Sequence, residues 1–348
     1  MRPLSPLARG ALLALLAAVL FGATTPLVQA FGVHSSPFVT AALLYAGAAL
    51  ASVPRSSTGR EASLRRADAP RLLLVAGLGA VLAPVARAAG LQRTDGGTAS
   101  LLLNFEAIFT VACARLFYAE PVGRRVVAAA SLMVLGGGVL SLRGGRALGA
   151  DALGMAAVTL AALGWALDNT LTRPLADRDP RSVVFAKASI GALSSLVLAR
   201  VFGGPLPSPR AALGLLACGA TGYGLSLRLY LLAQRRLGAA RTGSVFAFAP
   251  FVGAAIAFAM GAREAPLLQL VAALLFAAAV VLHVTEDHAH RHRHAPVRHE
   301  HAHRHDDGHH DHAHDPPFVG AHSHEHLHDA LEHEHPHGPD LHHAHDHE

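Results

Sequence analysis

The sequence predicts an all-α integral membrane protein that ends in a polar C-terminal tail. Of the 348 residues, 52% are hydrophobic and 15% are charged, whereas soluble domains carry about 25% charged residues. The mean hydropathy is +0.36, and apolar runs of membrane-spanning length recur between residues 11 and 284. These runs lack the strict alternation of barrel strands, so helices are expected to satisfy the backbone in lipid.

Ten apolar runs account for the predicted spans, because a helix needs about 20 apolar residues to cross the hydrocarbon core. Turn and charge signals separate the runs, as at Val53-Pro54-Arg55 and Asp179-Pro180-Arg181. The first run follows Arg2 and Arg9 as in a signal peptide, but it has a counterpart later in the chain and is predicted to be a retained helix. The predicted helices cover residues 11–31, 37–53, 71–90, 98–118, 124–142, 152–172, 182–202, 211–233, 242–261 and 265–284.

The distribution of Arg and Lys predicts the orientation of these helices. With the N-terminus placed inside, the inner segments hold 15 basic residues and the outer loops hold 6. Basic residues are enriched in short cytoplasmic loops. Both termini are therefore expected in the cytoplasm.

The two halves of the apolar region match each other at a constant offset of 144 residues. At this offset Phe21 aligns with Trp165, and Glu120 aligns with Glu264. Because five helices per repeat is an odd number, the second repeat is predicted to enter the membrane upside down, an arrangement typical of transporters. The predicted domains are two five-helix repeats and a tail, over residues 1–142, 143–284 and 285–348.

Several short motifs stand at positions typical of a known family. They are Phe21-Gly22 and Trp165-Ala166 in the first helix of each repeat, Thr242-Gly243-Ser244 before Ala249-Pro250-Phe251, and the segment 164–173. With these motifs, residues 1–284 resemble the EamA type of the drug/metabolite transporter superfamily, in the subset with a His-rich C-terminal tail. The first repeat departs from the pattern, since Glu106 stands where the family usually has proline. The resemblance implies a carrier of the bacterial inner (plasma) membrane, often an exporter, without indicating its substrate.

Four ionisable residues inside the predicted helices are candidate substrate-pathway residues, because a charge in the bilayer costs a few kcal/mol and is retained for function. They are Glu106, Asp168, Lys187 and Arg228. Glu106 lies near mid-depth and is the predicted proton- or cation-coupling carboxylate, since a low dielectric favours its neutral form. The alternative is a structural ion pair of Glu106 with Lys187 or Arg228.

Four uncharged residues complete the predicted pathway. Asn104 and Asn169 are polar residues close in sequence to the charged candidates, and Asn104 could contact substrate or bond between helices. Tyr223 lies in the Gly-rich stretch 219–224. Pro250 removes a helix hydrogen bond and is a predicted mid-helix hinge.

The tail has a chemistry of its own. It holds 23 of the 25 His residues and a net charge of −10, against +15 for residues 1–284. With few large apolar residues it is predicted to be disordered. In an extended stretch, alternate imidazoles face one way, and imidazole suits Zn, Ni, Co or Cu. The predicted metal ligands are His288, His290, His292, His294, His299, His301, His303, His305, His322, His324, His326, His328, His333, His335 and His337.

These features predict a secondary transporter of small organic metabolites by alternating access, with a cytoplasmic tail that binds divalent metal. The alternative is a divalent transition-metal transporter (Zn, Ni or Co) whose tail collects or senses the ion, although residues 35–282 contain no His. An enzyme is not expected, because no nucleophile–base or zinc-protease spacing occurs. No cofactor is required by the predicted transport function.

The predicted partners follow from the charge distribution. The formal net charge of +5 is the sum of a basic helical region and an acidic tail, so nucleic acid is not expected. The expected partners are the lipid bilayer, a small-molecule substrate and divalent metal ions. A homodimer is left open.

Overall fold

The computed structural model of the chain describes residues 6–54, 62–118, 124–142, 148–175, 178–237, 239–262, 266–284, 289–293, 297–303, 322–328 and 332–336. Up to residue 284 the regular structure is helical, and four short strands follow. The α-helices are α1 (Pro6–Gly32), α2 (Pro37–Ala51), α3 (Ala69–Ala76), α4 (Ala83–Leu91), α5 (Gly96–Leu102), α6 (Phe105–Tyr118), α7 (Arg124–Ser141), α8 (Leu148–Thr172), α9 (Pro180–Phe202), α10 (Pro209–Cys218), α11 (Ser226–Leu237), α12 (Ala239–Phe246), α13 (Ala249–Ala259) and α14 (Pro266–Val284). Turns of 3₁₀-helix cover Arg66–Asp68 and Arg173–Leu175, and π-helical segments cover Gly77–Leu82 and Gly219–Leu225.

Within the described residues, six helical segments are long and apolar enough to cross a membrane. Large apolar side chains face outward along the bundle; Leu50, Leu193 and Val201 are each at least 65% exposed. A helical bundle with an apolar outer surface is solvated by lipid, so the predicted class of helical membrane protein is confirmed. The six segments are Ala8–Gly32, Arg66–Leu91, Gly96–Phe117, Ala152–Thr172, Pro180–Phe202 and Pro209–Gln234, and shorter apolar helices cover Pro37–Ala51, Ala249–Ala259 and Pro266–Leu282.

Aspartate residues cap the N-termini of two helices. Asp179 caps α9, where its side chain accepts hydrogen bonds from the N–H groups of Arg181 and Ser182. Pro180 occupies the first turn, where its missing N–H is not needed. Asp95 caps α5 in the same way. These caps satisfy N–H groups that a helix start leaves unpaired.

Several predicted helices contain breaks, and the breaks fall at matching places in the two halves. The helical path is interrupted at residues 103–104, between α5 and α6, and again at 247–248, between α12 and α13. These interruptions are 144 residues apart, which is the offset of the sequence repeat. The π-helical segments 77–82 and 219–225 also occupy nearly equivalent positions. The second helical interruption corrects the expectation for Pro250, which lies in the first turn of α13 and not in mid-helix.

The packing of the helices is symmetric under exchange of the two halves. Helix α1 of the first half packs on α11 and α13 of the second half. In the same way, α8 of the second half packs on α4 and α6 of the first half. The contacts of α2 with α9 and of α7 with α14 also map onto themselves under this exchange. Each of these contacts therefore has a counterpart in the other half, whereas the contact of α5 with α13 has no equally extensive counterpart. The buried core lies where α1, α2, α4 and α8 meet the π-helical segments.

The tail differs from the predicted disorder over the residues that the structure describes. Strand β1 (Ala289–Arg293) pairs antiparallel with β4 (Glu332–Pro336), and β2 (Val297–His303) pairs antiparallel with β3 (His322–His328). The His-x-His alternation has a period of two residues, which is also the period of a strand. Four predicted metal ligands, His288, His294, His305 and His337, lie outside the described residues.

Candidate functional site

The backbone carbonyl of Gly79 accepts two side-chain hydrogen bonds in the bundle core. The Tyr45 hydroxyl donates to it at 2.5 Å, and the Trp165 indole N–H donates at 3.0 Å. Gly79 lies in the π-helical segment 77–82, where the altered backbone bonding leaves carbonyls available to other partners. Tyr45 and Trp165 come from different halves of the chain, so this carbonyl joins the two halves.

A buried ion pair lies next to Gly79. The Lys187 ammonium donates to Oδ2 of Asp168, and the Thr172 hydroxyl donates to Oδ1 at 3.1 Å. Both charged residues are buried, and a Cβ on Gly79 would overlap the Asp168 carboxylate. Asp168 on α8 and Lys187 on α9 therefore neutralise each other beside the π-helical segment, and glycine is required for the carboxylate to approach.

Glu106 does not pair with Lys187, which was one predicted alternative. Its Oε1 accepts a hydrogen bond from the Asn169 amide at 2.8 Å, across the contact of α6 with α8. Glu106 is half-buried and Asn169 is exposed. The carboxylate therefore lies at the edge of the core, one residue along α8 from the ion-paired Asp168.

Arg87 is the charged group that the sequence analysis missed. It is 0% exposed, and its Nη1 donates to the hydroxyls of Thr24 at 3.0 Å and Thr25 at 3.5 Å. The guanidinium carbon lies 5.5 Å from the ring centroid of Trp165 and 5.4 Å from that of Tyr223. We call these five residues the arginine cage. Arg87 lies inside the predicted span 71–90, so it is an ionisable residue in a predicted membrane helix, as Glu106 is. This position could have identified it from the sequence.

Aromatic rings surround the arginine cage. Phe21 meets Trp165 edge-on at a centroid distance of 5.7 Å and Tyr223 at 5.8 Å. Tyr45 lies 5.3 Å from Tyr223. Edge-on and tilted rings in van der Waals contact stabilise a core beyond their buried area. Phe21 and Trp165, aligned by the sequence repeat, thus meet in the structure.

The other predicted pathway residues are spread around this core. The Asn104 amide donates to the Leu101 carbonyl at 2.9 Å and stabilises the interruption between α5 and α6. Arg228 is half-buried on α11, and Tyr223 is part of the arginine cage. Pro250 begins α13, which packs on α1.

A cavity of about 1160 Å³ lies apart from these polar groups, between α6 and α7. Its walls are mainly apolar and include Ile108, Val111, Val127 and Met133. None of the predicted pathway residues lines it. Where the structure describes side chains, no group of three or more His, Cys, Asp or Glu lies close enough to hold a metal ion, and the tail side chains are outside that set.

A family model described as the EamA-like transporter family matches residues 8–142 and residues 152–285. The chain belongs to the EamA-like transporter family. The two matched ranges fall on the two symmetric halves of the bundle, as a two-repeat family requires. Arg87, Asp168 and Lys187 lie where helices of these two matched ranges meet.

Two further similarities place this EamA protein among known proteins. An uncharacterized transporter of Methanothermobacter thermautotrophicus (strain ATCC 29096 / DSM 1053 / JCM 10044 / NBRC 100330 / Delta H) is 30% identical over 208 residues. The match covers 57% of this chain and 59% of that protein, so the chain spans about three fifths of the length of this curated relative. One solved crystal structure superposes with a TM-score of 0.59 at 18% identity, over 79% of this chain and 98% of the other, and shows the same fold.

Proposed function

We propose that this EamA protein is a secondary transporter that exports small organic metabolites from the bacterial cytoplasm by alternating access. In this proposal ten helical spans form two inverted repeats, over residues 1–142 and 143–284, with both termini in the cytoplasm. The proposal excludes catalysis: the protein moves its substrate without changing it.

The observation that carries the proposal is the position of the buried charges between two halves with exchange-symmetric packing. Inverted repeats alternate access when the two halves exchange conformations around a fixed site. Asp168, Lys187 and Arg87 lie where helices of both halves meet. Helix breaks at matching positions in both halves supply the points at which such an exchange can bend the helices.

Glu106 is the proposed coupling residue. Its carboxylate accepts from Asn169 and thereby ties α6 of the first half to α8 of the second. Proton binding removes the negative charge from this contact and weakens a charge-assisted hydrogen bond. A protonation change at Glu106 therefore alters the interaction between the two halves, which is what coupling to a proton gradient requires.

The test is proton flux in proteoliposomes. A pH-sensitive dye inside the vesicles reports proton movement when amino acids, organic acids or amines are added one at a time to the full chain. Glu106→Gln keeps the shape of the side chain and an acceptor for Asn169 but cannot exchange a proton. We expect substrate-driven proton flux to be lost, because the amide cannot bind and release the coupled proton.

Asp68→Asn is the matched control, because Asp68 is a carboxylate that pairs with Arg178 outside the core. It should leave the flux unchanged. Proton flux that survives unaltered in Glu106→Gln would contradict the coupling role. No solute-driven flux or solute uptake in the wild type would contradict transport itself.

We also propose that the tail binds a divalent metal ion, with Zn, Ni, Co and Cu as the candidate ions. The strand register supports this, because it sets His opposite His at five positions: His290↔His335, His292↔His333, His299↔His326, His301↔His324 and His303↔His322. Opposite residues of an antiparallel pair lie on the same face of the ribbon. Each such pair brings two imidazole-bearing positions together, which is half of a tetrahedral ligand set.

A further inference from the structure

The guanidinium of Arg87 has one unused edge. Its Nη1 donates to the Thr24 and Thr25 hydroxyls, but Nε and Nη2 have no hydrogen-bond partner among the residues that the structure describes. The whole side chain is shielded, at 0% exposure. An ionised group with unpaired donors is costly to bury, so a partner for this edge is expected.

Two aromatic rings already contact the guanidinium. The rings of Trp165 and Tyr223 lie 5.5 and 5.4 Å from its central carbon. Such cation–π contacts stabilise the positive charge without using its N–H groups. The hydroxyl of Tyr223 is a second buried polar group without a well-formed hydrogen bond among the described residues, and its neighbour Thr24 already accepts from Arg87. Two unsatisfied hydrogen-bonding groups therefore belong to one cluster.

The free edge has the geometry that binds a carboxylate. Nε–H and one Nη2–H point the same way in the guanidinium plane and form two parallel hydrogen bonds with the two oxygens of a carboxylate. Arg178 of this chain shows the arrangement, because its Nε and Nη2 donate to Asp68 at 2.9 and 3.5 Å. Two carboxylates of the core have other partners, since Asp168 bonds Lys187 and Glu106 bonds Asn169.

We infer that the Nε/Nη2 edge of Arg87, together with the Tyr223 hydroxyl, binds the carboxylate of the transported solute, so that the substrate is an organic monocarboxylate. The inference rests on the transport function proposed above and names its substrate class. Because the guanidinium of Arg87 has one edge without a hydrogen-bond partner, it can bind one carboxylate group. The surrounding rings of Phe21 and Tyr45 favour an apolar body next to the carboxylate.

The single tryptophan makes this site directly observable. Trp165 is the one Trp in the sequence and flanks the Arg87 guanidinium, so its fluorescence reports on the arginine cage alone. The purified full chain in detergent is titrated with cyclohexanecarboxylate, with neutral cyclohexanecarboxamide, with the cation cyclohexylmethylammonium and with methyl phosphate. We expect the carboxylate to change Trp165 fluorescence at the lowest concentration of the four.

Three variants separate binding from folding. Arg87→Lys keeps the charge but loses the planar edge, and should weaken carboxylate binding by about ten-fold or more, the value of one hydrogen bond to a charged group. Tyr223→Phe keeps the ring and the cation–π contact, and should weaken binding by about three-fold. Arg200→Lys is the matched control on the exposed end of α9 and should bind as the wild type does.

Any one of three results would overturn the inference. The first is an equal response to the carboxylate and to its amide, and the second is tighter binding of methyl phosphate. The third is a carboxylate affinity that is the same in the wild type, Arg87→Lys and Tyr223→Phe. If Arg87→Lys does not fold, Tyr223→Phe and the ligand series still decide it. If vesicles show Glu106-dependent proton flux while carboxylates leave Trp165 unchanged, the substrate class is wrong and the transport proposal stands.

Discussion

At the scale of single residues, Gly79 fixes how the charged core is assembled. Its carbonyl accepts from Tyr45 and Trp165, and its missing side chain leaves space for the Asp168 carboxylate. Asp168 is then held close to Lys187, which compensates its charge. Removing one partner of such a buried pair typically costs about 3–5 kcal/mol, because it leaves an uncompensated charge. The absence of a side chain at Gly79 thus leaves room for the Asp168–Lys187 ion pair.

Gly79→Ala should therefore destabilise the protein by about 1–3 kcal/mol, the usual cost of overpacking a core. The added methyl group would push Asp168 away from Lys187. The measurement is denaturant unfolding in mixed micelles, followed by helical circular dichroism.

Gly77→Ala in the same π-helical segment is the matched control, because nothing lies within 4 Å of its added Cβ. It should be neutral or stabilising by about 0.5–1 kcal/mol, since alanine is the better helix former. A Gly79→Ala protein as stable as Gly77→Ala would show that Asp168 does not depend on this glycine.

At the scale of secondary-structure elements, irregular helix geometry brings the functional groups together. One π-helical segment presents the Gly79 carbonyl and the other carries Tyr223 of the arginine cage. Segments of π-helix are frequent at functional sites because they disturb the regular backbone bonding. The polar core thus lies at the segments where π-helix replaces regular α-helix.

The start of α5 ties three helices together. Asp95 accepts from the N–H groups of Gly97 and Thr98 at 3.0 Å each and from the Gln269 amide of α14 at 2.9 Å. Gln29 of α1 accepts from the Gly96 N–H at 2.7 Å. Helix α5 leads directly into the interruption next to Glu106, so this cap supports the position of the coupling residue.

Asp95→Ala should lower the free energy of unfolding by about 2 kcal/mol, the upper range for loss of a helix cap, because the bond to Gln269 is lost as well. Ser208→Ala is the control: Ser208 caps α10 through a single exposed bond of 3.3 Å, and its loss should cost about 0.5 kcal/mol. Equal losses in micelle unfolding would mean that the Asp95 network adds nothing to capping.

The sequence predicted the features of the fold that depend on composition, such as the apolar spans. It did not predict the features that depend on the geometry of backbone hydrogen bonds. Apolar length predicted spans such as 182–202, which the structure has as Pro180–Phe202, and Asp179-Pro180-Arg181 predicted the break before it. A pair of opposite charges such as Asp168 and Lys187 could have been predicted from their positions inside the predicted spans, and it forms where α8 and α9 both pack on the π-helical segment 77–82. The π-helical segments could not, because they depend on a bonding pattern that glycine permits without specifying.

At the scale of the whole molecule, the chain combines two units of opposite charge. Residues 1–284, which include the helical bundle, carry +15, whereas residues 285–348 carry −10 and 23 His residues. Most of the bundle's basic residues are in the segments that predict its orientation, while Arg87 and Lys187 lie in its core. The exchange-symmetric packing concerns the bundle alone, so transport and metal binding are separable properties in our proposals.

Metal binding by the tail should weaken as the pH falls. Imidazole binds metal in its neutral form and titrates near pH 6.5, so below that pH protons compete with the ion. Full protonation would also move the tail from −10 to +13, which repels a divalent cation. We expect calorimetric titration of the full chain with Ni²⁺ to give at least about ten-fold lower affinity at pH 5.5 than at pH 7.5.

The chain truncated after Val284 is the matched control, since it removes the 23 tail His residues and leaves the bundle intact. It should lose Ni²⁺ binding while its Glu106-dependent proton flux persists, because the pathway residues all lie before residue 284. An affinity for Ni²⁺ that does not change with pH would refute binding through imidazole. Accumulation of Ni²⁺ inside vesicles containing the full chain would show instead that the metal is the transported substrate and that the tail serves the pathway.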